Sequence, residues 1–166
     1  MTAQDIIKRL GLIPHPEEGG YFCETYRAGE GVDASALPVR YGAARSFGTA
    51  IYYLLTPTTF SALHKLESDE IFHFYLGGAV QMLQLHPDGS GRTLTIGNDL
   101  AAGQKPQVVV PRGVWQGARL VSGDFALLGC TVGPGFEFED YSHGERTSLT
   151  ACYPDFSVEI QRLTTA

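Results

Sequence analysis

The sequence predicts an all-β fold, a sandwich or barrel preceded by one short helix. From Ser46 onward eight apolar segments follow one another, SFGTAIYYLL, FSALHKL, EIFHFYLG, VQMLQLH, RTLTIG, QVVVP, WQGARLV and FALLGCTV, each bounded by Gly, Pro, Asp or Asn. The turn HPDGSG after Leu85 is a strong hairpin signal, because Asp88 and Gly89 tolerate the positive backbone angles of a tight turn. At the start of the chain Thr2 and Asp5 stand in capping-box spacing.

Taken in order, residues 2–11 read as an amphipathic helix: Ile6, Ile7 and Leu10 make one face, Gly11 stops it, and it is expected to cover one end of the β structure. Tyr21 to Arg27 is aromatic-rich and reads as a strand, whereas residues 28–44 have few large apolar side chains and read as loop. In DFSVEIQRL, residues 155–163, the spacing of Val158, Ile160 and Leu163 does not choose between a last strand and a helical turn. There is no internal repeat at a fixed period and no low-complexity segment.

A chain of 166 residues suits one domain, able to bury roughly two-thirds of its unfolded surface. With 43% hydrophobic and 18% charged residues it reads as a folded globule. The net charge of −6 and the lack of any basic block disfavour a nucleic-acid partner. Cys23, Cys130 and Cys152 form no C-x-x-C pair, so neither a disulfide framework nor a thiolate zinc site is expected. The N-terminus has charges inside its apolar stretch, unlike a signal peptide, and no run is long enough for a membrane span. A cytoplasmic protein with no membrane association is expected.

The chemistry concentrates in HKLESDEIFHFYLG, where His64, Leu66, Glu70 and Gly77 are spaced H-x-L-x3-E-x6-G. This resembles the first cupin motif, in which a second His stands at the position of Leu66. About fifty residues on, VVVPRGVWQ resembles the second motif, with Pro111 and Gly113 in place and Gln116 where a His is usual. Beyond these, GGYFCETYR, TAIYYLL, SALHKLESDEIFHFYLG, LHPDG, VVVPRGVWQGARL and LLGCTVGPGFEFEDY are similar to blocks of one family, Cupin_5 or DUF985, from about Gly19 to Tyr141. The resemblance implies a cupin double-stranded β-helix, a jelly-roll barrel with an enclosed pocket, and a homodimer. It divides the chain into a helix and lead-in (1–18), a barrel core (19–141) and a C-terminal extension (142–166). It implies little about reaction, since the family is largely uncharacterised and is compared structurally with sugar-nucleotide epimerases, auxin-binding proteins and seed storage proteins.

A metallocupin draws its ligands from two His and the Glu of the first motif and the His of the second. Leu66 and Gln116 replace two of these four, leaving His64, Glu70 and Gln116 as a weak donor set for a divalent ion. No tightly bound cofactor is expected.

His64 and Glu70 are the candidate catalytic pair, expected on the interior face with side chains close enough to share one ligand: an imidazole suits proton transfer at neutral pH, and burial raises a carboxylate towards a useful value. The alternative for Glu70 is an ion pair with Arg119. Gln116 and Ser61 are candidates for orienting a substrate, and Phe72, on the face of Glu70, for lining the pocket. Strict alternation puts Phe22, Glu24 and Tyr26 on one face of their strand and Tyr21, Cys23, Thr25 and Arg27 on the other, so Glu24 and Tyr26 are further candidates. His73 falls on the face opposite Glu70, Cys130 among apolar neighbours, and His15, His86 and His143 in turns expected to be exposed. Glu137, Glu139 and Asp140 alternate with aromatics in a segment expected to be exposed on one side. These residues point to metal-independent acid/base chemistry, as in an epimerase, isomerase or lyase, on a sugar-like or other small polar substrate. The alternatives are a non-catalytic small-molecule binding or sensing protein and a weakly metal-dependent enzyme.

Overall fold

Thr2 accepts the Asp5 N–H at 3.2 Å while the Asp5 carboxylate accepts the Thr2 N–H at 2.8 Å, and this capping box opens helix α1, Ala3–Leu10. Gly11 closes it in the left-handed region. The structure, a computed structural model, describes residues 1–165. Thirteen strands follow: β1 (Ile13–Pro14), β2 (Tyr21–Arg27), β3 (Gly31–Val32), β4 (Arg45–Ser46), β5 (Thr49–Leu55), β6 (Phe60–Leu66), β7 (Asp69–Gly77), β8 (Val80–Leu85), β9 (Gly91–Ile96), β10 (Gln107–Val110), β11 (Trp115–Leu120), β12 (Ala126–Gly133) and β13 (Tyr141–His143). Helices α2 (Arg146–Cys152) and α3 (Ser157–Arg162) end the chain, so the Val158, Ile160, Leu163 spacing is helical. No helix among the described residues is long and apolar enough to cross a membrane.

The jelly roll is two facing antiparallel sheets rather than one closed barrel. One has the order β1-β2-β5-β12-β7-β10, the other β13-β6-β11-β8-β9, and each ends in edge strands. The hairpin between β8 and β9 turns where expected, with Gly89 N–H donating to the His86 carbonyl and Asp88 accepting the Ser90 N–H. The segment 28–44 contains the β3 strand and two 3₁₀ turns, and β3 pairs with β4.

Inward-facing Tyr53, Leu55, Phe72, Val80, Met82, Val110, Ala118 and Leu128 form the core between the sheets. The outer side of the six-stranded sheet presents Leu54 and Leu127, which α1 covers through Ile6, so the helix caps a sheet face and not an end. The outer side of the other sheet presents Leu63, Leu83 and Leu85 to Leu149, Ile160 and Leu163 of the C-terminal helices. Fully burying a side chain of this kind contributes about 1.5–3 kcal/mol, which makes the last helices part of the domain. Polar inward positions are Ser61 and His64 on β6, Glu70 on β7, Gln84 on β8 and Gln116 on β11.

Candidate functional site

Two bulges decide what faces inward. Along β2, Glu24 is opposite Ile51 and Tyr26 opposite Ala50, so Thr25 is the extra residue and the alternation flips after it. Phe22, Glu24 and Arg27 therefore face the interior, while Tyr26, expected beside Glu24, turns out and is 58% exposed. Along β6, His64 is opposite Gln116 but Ser61 is opposite Ala118, so the strand gains a residue between them and Ser61 and His64 both point inward. The backbone groups that this bulge frees recruit other segments: Ala62 N–H donates to the Glu18 carbonyl at 2.8 Å, and Leu63 N–H to the Leu163 carbonyl at 2.8 Å.

The first of these contacts places a residue that the sequence reading missed. The loop from His15 to Gly20 is closed by His15 N–H on the Gly20 carbonyl at 3.0 Å, and Tyr53 Oη donates to the Gly19 carbonyl at 2.7 Å. Gly19 and Gly20 take φ of 91° and 71°, and a Cβ on Gly19 would stand 2.5 Å from the Phe60 carbonyl oxygen. That close approach puts the Glu18 carboxylate inside, where Ser61 Oγ donates to its Oε1. Its Oε2 lies 3.9 Å from His64 Nε2 and 3.9 Å from His15 Nε2. His15, expected to be exposed, keeps only 6% of its side chain accessible. The adjacent glycines after Glu18 are the signal the sequence offers for this loop.

The histidines are held in opposite tautomers. His64 Nδ1 is 2.7 Å from the Ala62 carbonyl, which only accepts, so Nδ1 carries the proton and Nε2 presents a lone pair. Its ring stacks on Tyr141, centroids 5.1 Å apart. His15 Nδ1 accepts the backbone N–H groups of Glu17 and Glu18 at 3.3 and 2.9 Å, so its proton sits on Nε2, facing Glu18. Burial pushes the His15 imidazole below its ordinary value, against the pull of Glu18.

Glu70, on β7, shares the interior with His64. Burial in the first place and repulsion from Glu18 in the second raise its carboxyl to about 7, against the opposing effects of His64 and Gln116. Gln116 Nε2 donates to Glu70 Oε2, leaving Gln116 Oε1 buried without a partner. Arg119, the alternative partner for Glu70, donates instead to Gln81 Oε1 at 3.2 Å. Phe72 faces inward but belongs to the hydrophobic core and not to the cavity wall. Ser61 and Gln116 hold the two carboxylates, a different task from the substrate contact expected of them. His73, on the other face of β7, bonds Thr131 at 3.1 Å. Burial holds the Cys130 thiol, beside Glu70, well above its ordinary value.

His15, Glu18, His64, Glu70 and Cys130 border a cavity of ≈ 90 Å³, enough for a handful of waters or a small molecule. Glu18, His64, Leu66, Glu70 and Cys130 form its deeper wall, with Phe22, Tyr141 and Phe138 towards the mouth. Phe138 is 52% exposed there. The mouth segment is fixed by Asp140, which was expected on the surface. Arg45 Nε and Nη2 donate to its two oxygens at 2.9 and 2.7 Å, and both residues are buried.

The donors present do not fit a divalent ion. Leu66 presents a hydrocarbon where a ligand would stand, and Gln116 turns its N–H towards Glu70. Among the described residues no three His, Cys, Asp or Glu converge with ligand geometry.

The family model described as Cupin superfamily (DUF985), Cupin_5, matches residues 4–144. The chain belongs to the Cupin_5 family. A relative in Saccharomyces cerevisiae, the uncharacterized protein YML079W, is 35% identical over 152 residues, 85% of this chain and 74% of its own length. The crystal structure of protein SO0799 from Shewanella oneidensis superposes with a TM-score of 0.89 at 34% identity, covering 99% of this chain and 98% of that one. A hypothetical protein from Leishmania major gives a TM-score of 0.89 at 30% identity over the full length of both chains. The two structures share the fold over 99% and 100% of this chain, and none of the three names assigns a reaction.

Proposed function

We propose that this Cupin_5 protein binds a small polar molecule between its sheets and moves a proton on it, without a metal, as an isomerase, epimerase or lyase does. The observation that carries the reading is the pair of interior carboxylates, Glu18 and Glu70, placed with His64 in one cavity, with burial raising the second of them. Glu70, raised to about 7, holds a proton through much of the neutral range. His64 offers a lone pair on Nε2, with the Ala62 carbonyl holding Nδ1–H and Glu18 Oε2 3.9 Å from Nε2, close enough to stabilise the imidazolium that forms when it takes a proton. A proton donor and a proton acceptor facing one cavity are the requirement for removing a proton at one position and returning it at another.

The test is exchange. Small polar molecules retained by the protein are incubated with it in D2O and followed by NMR for deuterium incorporation at carbon. Incorporation that falls ~10²–10⁴-fold in both His64→Gln and Glu70→Gln supports the reading. A retained molecule that neither exchanges nor turns over reduces the site to binding. That second reading, a non-catalytic binding cupin, is favoured by Ser61 and Gln116 being engaged with the carboxylates and not facing a substrate.

A homodimer remains part of the proposal, supported by the outward-turned Tyr26 on β2. Light scattering showing only monomer at micromolar concentration would refute it.

A further inference from the structure

The cavity wall is rich in acceptors and poor in donors. Of the donors near it, Ser61 Oγ–H is taken by Glu18, the Gln116 amide by Glu70, and His64 Nδ1–H by the Ala62 carbonyl. What remains directed at the interior is Glu18 Oε2, the Glu70 carboxyl and the His64 Nε2 lone pair; the donors beside them are the His15 Nε2–H, the Glu70 proton below about pH 7 and the neutral hydroxyls of Thr49 and Tyr141.

The charges agree with this count. Four carboxylates line the cavity: Glu18, Glu24, Glu70 and Glu137. Arg27 is the single arginine or lysine among the lining residues. Its Nε and Nη2 donate to Glu24 at 3.0 and 2.9 Å, its Nη1 to Glu137 at 2.6 Å, and its Nη2 also to the Phe136 carbonyl at 3.0 Å. The guanidinium is thus outnumbered by the carboxylates that hold it, and none of its positive charge is left for a ligand. The deeper carboxylates, Glu18 and Glu70, have no fixed cation. A carboxylate, phosphate or nucleotide sugar placed here would meet like charge in a desolvated space with no free cationic side chain to receive it. The apolar part of the wall is aromatic: Phe22 and Phe138 flank His15 with centroids at 4.7 and 6.1 Å, and Tyr141 lies over His64. Aromatic faces beside buried carboxylates are the surroundings in which an organic cation is most favoured.

We infer that the cavity takes a small organic cation, an amine about the size of propylammonium, whose N–H groups are received by Glu18, Glu70 and His64 while its carbons rest on Phe22, Leu66 and Tyr141. This rests on the reading of the cavity as a ligand site and narrows its substrate class from small polar molecules to amines.

Three probes of one size separate the possibilities: propylammonium, 1-propanol and propionate, titrated into the isotope-labelled full chain and followed through the backbone signals of Glu18, His64 and Glu70. The expected result is saturable shifts with propylammonium, affinity at least about tenfold weaker for 1-propanol, and none for propionate. Glu18→Gln, which keeps the shape and the Ser61 contact, should weaken propylammonium about tenfold or more, and by more than it weakens 1-propanol. Should that variant lose its fold by thermal melting, Glu70→Gln serves in the same titration near pH 8, where the parent carboxyl is ionised. Propionate or 1-propanol binding as tightly as propylammonium overturns the amine inference and leaves the cavity a ligand site. No binding by any of the three overturns both the inference and the reading beneath it.

Discussion

His15 and His64 approach the same oxygen of Glu18, each at 3.9 Å through Nε2, one as an N–H and the other as a lone pair. The difference comes from what each Nδ1 meets: backbone N–H groups in the turn after Pro14, and a backbone carbonyl in the bulge of β6. One carboxylate is therefore steadied on one side and available to a proton on the other.

These tautomers are open to measurement. Long-range nitrogen–proton spectra of the free protein should show His15 as the Nε2–H form and His64 as the Nδ1–H form near neutral pH. His15 should titrate below its ordinary 6.5, because burial disfavours its cation. A His15 ring carrying its proton on Nδ1 would contradict the turn geometry.

Glu70 makes stability depend on pH. Below 4.5, its ordinary value, both folded and unfolded chains keep the proton and the residue contributes nothing to the slope. Between 4.5 and about 7 the unfolded chain has lost the proton and the folded one retains it, so stability falls as pH rises and then levels off. Glu70→Gln should match the parent in acid and exceed it near pH 8 by up to about 3 kcal/mol, read from urea midpoints at several pH values. An amide at this position also gives Gln116 Oε1 a donor. A variant no more stable than the parent at the higher pH would show that burial does not penalise this carboxylate.

The Arg45 and Asp140 pair should behave as a buried ion pair does. Arg45→Ala or Asp140→Ala alone should cost about 3–5 kcal/mol, since each strands the other charge. The double change Arg45→Met with Asp140→Leu should cost less than either, by denaturant unfolding. Additive losses would mean that the two sites do not interact.

Two glycines with positive φ provide a matched comparison. Gly11→Ala, with nothing within 4 Å of the new Cβ, should cost only about 1 kcal/mol. Gly19→Ala, with its Cβ against the Phe60 carbonyl, should cost about 1–3 kcal/mol or more and displace Glu18. Thermal melting gives the first quantity, and the backbone signal of Glu18 the second.

The strands, the hairpin at Asp88 and Gly89, the α1 cap and the inward positions of His64, Glu70 and Gln116 were legible because apolar alternation, turn chemistry and motif spacing are local. Glu24 and Arg27 were separable from Tyr26 only through the bulge at Thr25, and a bulge leaves no mark on alternation in one strand. Glu18 and His15 lie in a Pro and Gly turn whose composition reads as surface, and they enter the interior through bonds to Tyr53, Ser61 and Ala62 far along the chain. Asp140 likewise reads as solvated until Arg45, 95 positions earlier, is brought beside it.

That last separation sets an order of manufacture. His64 needs β13, which pairs His143 opposite it, and the mouth needs Asp140, so a chain emerging from the ribosome carries His64 and Glu70 through the synthesis of the following strands without the wall that encloses them. The cavity closes only when residues 140–143 arrive. Premature termination before residue 140 should therefore leave His64 and Glu70 open to solvent, with no partly enclosed version of the site along the way.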